Sequence, residues 1–111
     1  MAIARIYTGP DGKSRWEDLP LDSHPELTKL MEAKGVVFNV NPPGFFADWH
    51  PGPRRQFVIT LSSEVEIVTG DGVAHRFGAG QVNLIEDLTG QGHTTRVVGS
   101  EPRLAATVHL E

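Results

Sequence analysis

The chain has 111 residues, 39% hydrophobic and 22% charged, which suits one folded domain with a real core and does not suit a disordered segment. Ten Lys and Arg against fourteen Asp and Glu leave a net charge of −4, with no basic run. A phosphate-binding face, and with it a nucleic-acid partner, is therefore not expected. The absence of cysteine excludes disulfides, thiolate nucleophiles and zinc–sulfur sites. No apolar run approaches membrane-span length, and Met1-Ala-Ile-Ala-Arg5 lacks the apolar core of a leader, so no membrane partner and a cytoplasmic location are the expectations.

Residues 3–7 read as a short first strand, followed by the turn Thr8-Gly-Pro-Asp-Gly12. Residues 14–21 read as extended. Asp22-Ser-His-Pro25 resembles a helix start and Gly35 a stop, so one helical segment through Lys34 is predicted, with a loop as the alternative. After Gly35 the period becomes two: Val36, Phe38 and Val40 alternate with Val37, Asn39 and Asn41. Pro42-Pro43-Gly44 breaks the chain before an extended piece over residues 45–50. Residues 56–61 give the clearest strand, with Gln56, Val58 and Thr60 on one face and Phe57, Ile59 and Leu61 on the other. Residues 64–69 and 73–77 flank Gly70-Asp71-Gly72, a strong hairpin signal. Strands over residues 81–85, 93–98 and 104–110 follow, separated by turns rich in glycine. Short strands at this spacing predict an all-β sandwich or barrel.

Polar residues cluster at the strand ends between His50 and His93. Adjacent Glu86 and Asp87 alternate in facing, so one carboxylate of the pair is expected inward; Asp87 reads equally well as a turn residue. Arg54 and Arg55 stand beside the expected pocket mouth, where one arginine could clamp a carboxylate or phosphate, or simply pair with acidic neighbours. Asp48 shares parity with His50 and could orient it. Trp49, Phe45 and Phe46 read as packing residues. His24, His75 and His109 have no partner pattern, and no Ser-His-Asp, phosphate-loop or dinucleotide signature is present.

The residues from about 36 to 110 resemble a cupin, a small jelly-roll β-barrel. His50 matches the first histidine of the family's first motif, and Gln56 stands where its glutamate would be, directly before Phe57-Val-Ile-Thr-Leu61. Phe77-Gly-Ala-Gly80-Gln-Val resembles the glycine-rich start of the second motif, and His93 is similar in place to its histidine. Gly52 replaces the second histidine, and Ser63 the usual turn glycine. The resemblance implies a single cupin-like domain over residues 1–111, with an N-terminal arm over roughly 1–35 and a barrel over roughly 36–110.

It also implies a divalent metal such as Fe, Mn, Ni, Cu or Zn, held here by His50, Gln56 and His93, with Glu86 able to restore the missing charge. The alternative is a metal-free pocket. The catalytic candidates are His50, Glu86 and His93, and the substrate-binding candidates Arg55 and Gln56. The expected function is a small-molecule enzyme working by metal-assisted or acid/base chemistry, as an isomerase, cyclase, lyase or oxidase. A non-catalytic ligand-binding module is the competing expectation. The stripe of Phe57, Ile59 and Leu61 needs cover, which the N-terminal strand or a second subunit could give, and a homodimer is expected.

Overall fold

The structure, a computed structural model, describes residues 1–111. Ten strands follow in order: β1 (Ala2–Thr8), β2 (Ser14–Pro20), β3 (Gly35–Asn41), β4 (Phe46–His50), β5 (Gln56–Thr60), β6 (Glu64–Val68), β7 (Ala74–Gly78), β8 (Val82–Glu86), β9 (His93–Val97) and β10 (Arg103–His109). They form a six-stranded sheet, β2-β1-β8-β5-β10-β3, and a four-stranded sheet, β4-β9-β6-β7. From β3 to β5, and again from β7 to β10, each successive strand joins the opposite sheet. Sequence neighbours such as β4 and β5 are thus placed in different sheets. All pairings are antiparallel except that of β1 with β8.

The predicted helix through Lys34 is reduced to one 3₁₀ turn, Pro25–Thr28. His24 donates no side-chain cap, and Lys29 is already extended. Leu30 is fully exposed and the turn buries nothing, so a helix here has no apolar face to dock, and short helices depend on such docking.

The core is built where inward positions of both sheets are apolar: Ala4, Ile6 and Ile85 from one, Val65, Ile67 and Phe77 from the other. Trp16 stacks flat on His75, ring centroids 4.1 Å apart, and also covers Phe77. Burial pushes the His75 imidazole below its ordinary pKa, although the charges of Asp71 and Asp18 pull the other way. Elsewhere in the six-stranded sheet, on β8, β5 and β10, the buried positions include polar ones: Asn83, Thr60, Thr107 and Arg103. The space between the sheets therefore has an apolar part and a polar part.

The stripe of Phe57, Ile59 and Leu61, expected to need cover, receives it only in part. Phe57 is buried within the chain, and Leu61 is exposed. The large uncovered apolar stripe lies instead on edge strand β3, where Val36, Phe38 and Val40 are 59%, 65% and 66% exposed.

On the outer face, the Nε–H groups of Arg5 and Arg55 donate to the two oxygens of Glu86, at 2.5 and 2.6 Å, tying β1 and the approach to β5 onto β8. Burial pushes the Glu86 carboxyl up, but the hydrogen bonds and charges of both arginines outweigh it and hold the group below its ordinary value of 4.5. A depressed folded pKa gives stability that is complete above the unfolded value and lost as pH falls through the folded one. Glu86→Gln is expected to cost about 1 kcal/mol, since Arg55 is solvent-exposed and screened. In urea titrations that difference should hold above about pH 5 and shrink as pH falls below the ordinary glutamate value.

Candidate functional site

The register of β4 on β9 sets His50 directly opposite His93. Their ring centroids lie 4.8 Å apart, tilted by 53°. The connection before β9 is pinned by Gly92, whose φ of 76° lies in the left-handed region. A Cβ at Gly92 would overlap the backbone of His50 and Pro51, so the chain entering β9 packs directly on the chain leaving β4. This contact fixes the two imidazoles relative to each other.

His93 is 5% exposed, and its Nδ1 lies 2.5 Å from Oδ2 of the fully buried Asp87. An ionised carboxylate only accepts, so Nδ1–H donates and Nε2 is the nitrogen left for a ligand. His50 Nδ1 lies 2.6 Å from the backbone oxygen of Asp48, which also only accepts, so Nε2 is again the free nitrogen. It is the Asp48 carbonyl, not its carboxylate, that orients His50; the carboxylate accepts from the N–H of Trp49.

Both imidazoles line a cavity of about 180 Å³ between the sheets, together with Gln56, Asn83 and Arg103. Of the residues expected at the site, His50, Gln56 and His93 come together. Glu86 and Arg55 do not: they pair with each other on the outer face. Alternation along β8 explains this, since Asn83 and Ile85 face the cavity, Glu86 turns away, and Asp87 turns back beneath His93. Arg54 donates to the Gln56 side-chain oxygen at 3.3 Å. Arg96 lies over the Phe46 ring, 4.4 Å from its centroid, and lines no part of the cavity.

Two residues escaped the sequence reading, and a third was left undecided. Asp87 was open to either role. Asn83 interrupts the apolar strand Val82-Asn-Leu-Ile85, and its side-chain nitrogen and oxygen are both buried without a partner. Arg103 opens the apolar strand β10 and is 7% exposed. A lone polar residue within an apolar strand was the available signal for both.

Neither a protein-family model nor a curated protein matches the chain. Solved structures do. A double-stranded β-helix domain protein from Klebsiella pneumoniae is 28% identical over 66% of this chain, with a TM-score of 0.53; the match spans 63% of that protein's length. A conserved protein of unknown function from Streptococcus pyogenes is 22% identical, with a TM-score of 0.52, over 74% of this chain and 69% of its own. An RmlC-like cupin from Desulfovibrio desulfuricans aligns over 98% of this chain and 82% of its own, at 13% identity and a TM-score of 0.51. With its two β-sheets and these neighbours, the chain has the double-stranded β-helix fold that the RmlC-like cupin also adopts.

Cupin folds often hold a metal, and the residues here do not fit a tightly held one. No three His, Cys, Asp or Glu side chains converge. Two imidazoles and the neutral Gln56 amide offer no anionic donor, and Asp87, whose Oδ2 is taken by His93, does not line the cavity. Gly52 cannot supply a further ligand, because a Cβ there would overlap the Ile85 side chain. The expectation of a site formed by His50, Gln56, His93 and Glu86 fails at Glu86, which the two arginines hold on the other face. Stoichiometric Zn²⁺ or Fe²⁺ added to the untagged protein is expected to shift the melting temperature by less than about 2 °C, and metal analysis should find well under one ion per chain.

Proposed function

We propose that the chain is a small-molecule enzyme that moves a proton by acid/base chemistry in the cavity, in an isomerase, cyclase or lyase reaction. The supporting observation is the buried Asp87–His93 pair, which opens onto the cavity beside His50. His93 Nε2 takes a proton from a substrate C–H or O–H. Asp87 accepts from Nδ1–H throughout, so the ring keeps its orientation and the imidazolium that forms faces a carboxylate. The same Nε2–H then returns the proton at a second position, or to a leaving group. His50 Nε2 accepts a hydrogen bond from the substrate and fixes which atom faces His93. Gln56 and Asn83 supply neutral hydrogen bonds. The donor set favours this route over metal-assisted chemistry.

Solvent deuterium exchange tests the reading without knowledge of the natural substrate. A panel of small carbonyl compounds is incubated with protein in D₂O, and carbon-bound deuterium is followed by NMR. Incorporation at one member of the panel should fall about 10²–10⁴-fold in His93→Ala and strongly in Asp87→Asn. Binding without exchange leaves a ligand-binding module in place of an enzyme, and exchange that persists in His93→Ala removes His93 as the base.

The proposal includes a cytoplasmic homodimer, with the Val36, Phe38 and Val40 stripe of β3 covered by the same stripe of a second copy. Light scattering should give twice the chain mass, and Phe38→Glu should halve it. A monomeric wild-type mass removes the dimer and leaves the chemistry untouched.

A further inference from the structure

Resting on that acid/base reading, we infer that the cavity takes a small carboxylate, with Arg103 as the residue that binds its charged end. Arg103 is the only lysine or arginine lining the cavity, and no aspartate or glutamate lines it. Its guanidinium makes one side-chain hydrogen bond, from Nη2 to the Thr60 hydroxyl at 2.9 Å, and its Nε–H is buried with no partner. Arg103 takes part in no ion pair, whereas the guanidinium groups of Arg5, Arg15, Arg55 and Arg76 all do. Desolvation lowers its pKa with nothing to oppose it, yet an arginine stays charged at neutral pH. A buried cation without a counter-ion is costly, and an anion in the cavity would supply what the chain does not.

Asn83 gives a second, independent pointer. Its side chain is fully buried on the cavity wall, and both of its polar atoms lack partners. An amide with a free donor and a free acceptor matches a polar, uncharged part of the same ligand. One guanidinium balances one negative charge. No helix end, glycine nest or second cation lines the cavity to balance a phosphate dianion, and the planar fork suits a carboxylate.

The cavity is thereby two-ended. Arg103 is anchored at Thr60, while the imidazole end lies near Gln56 and Ile85, the latter packed on Gly52 just after His50. Thr60 and Gln56 are four residues apart on β5, about 13 Å at the usual strand rise. A ligand held by its carboxylate at Arg103 presents its distal carbons to Asn83 and then to His93.

The test measures binding of pyruvate, succinate, acetamide and inorganic phosphate by melting temperature and by calorimetry, with ionic strength held constant by NaCl. Wild-type protein is expected to be stabilised by about 3 °C or more by a carboxylate at high millimolar concentration, and by neither acetamide nor phosphate. Arg103→Met should abolish that shift while melting, in the absence of ligand, at or above the wild-type temperature. Arg103→Lys, which keeps the charge and loses the fork, should bind at least tenfold more weakly; it serves if the methionine variant does not fold. His93→Ala should bind the carboxylate as wild type does and lose only deuterium exchange. Equal stabilisation by phosphate or acetamide, or carboxylate binding retained in Arg103→Met, overturns the inference and leaves the acid/base proposal standing. Exchange that survives His93→Ala, with binding still dependent on Arg103, does the reverse.

Discussion

Side chains alternate across a β-strand, and in β8 this single constraint sorts the chemistry of the molecule. Asn83 and Ile85 face the space between the sheets, Leu84 and Glu86 face away, and Asp87 turns back under His93. Two adjacent carboxylates thus serve opposite purposes. Glu86 fastens the outer face through two arginines, and Asp87 fixes the tautomer of an inward imidazole. A one-residue slip of β8 that set Glu86 against His93 would bring Ile85 to the arginines, leaving Arg55 without its carboxylate and Arg5 with Glu17 alone. The parallel pairing of β1 with β8 and the antiparallel pairing with β5 hold the register from both sides.

The interior is divided between two kinds of burial. At the Trp16, Phe77 and Ile6 end, apolar packing provides the stability. At the other end Asn83, Arg103 and one oxygen of Asp87 are buried without full hydrogen-bonding, which works against stability. Unpaired groups on the core side would be defects. Those of Asn83 and Arg103 lie on the wall of a cavity, where a bound molecule can complete them. The folded chain thus concentrates its cost where ligand binding can offset it.

Much of the fold was open to sequence reasoning. A strand or extended piece was expected at each of the ten strands, with bounds shifted by a residue or so, on two-residue alternation in β3, β5 and β6 and on the spacing of breaks elsewhere. The helix failed because Pro25 and Gly35 mark ends but say nothing of whether Leu30 and Met31 have a surface to pack on. At the site, His50, Gln56 and His93 were legible because they sit at strand ends that meet. Glu86 was placed wrongly because the same parity that sends one carboxylate inward does not say which. Its partner Arg5 lies 81 residues away, beyond any local pattern. Arg103 and Asn83 were passed over because a polar residue in an apolar strand becomes notable only once its surroundings are seen to offer it no partner.

Strand β3 has two faces that belong to different parts of the molecule. Asn39 and Asn41 line the cavity, with Asn39 accepting from the Thr107 hydroxyl, while Val36, Phe38 and Val40 point outward, uncovered. As an edge strand it is held by β10 alone. Any body that settles on its outer face therefore restrains one wall of the cavity, and any molecule filling the cavity restrains the surface offered outside. Linkage is reciprocal: whatever free energy couples the two events, each must alter the affinity of the other by the same factor. Were a second copy to dock on β3, assembly and occupancy would share a strand, and this edge would couple them.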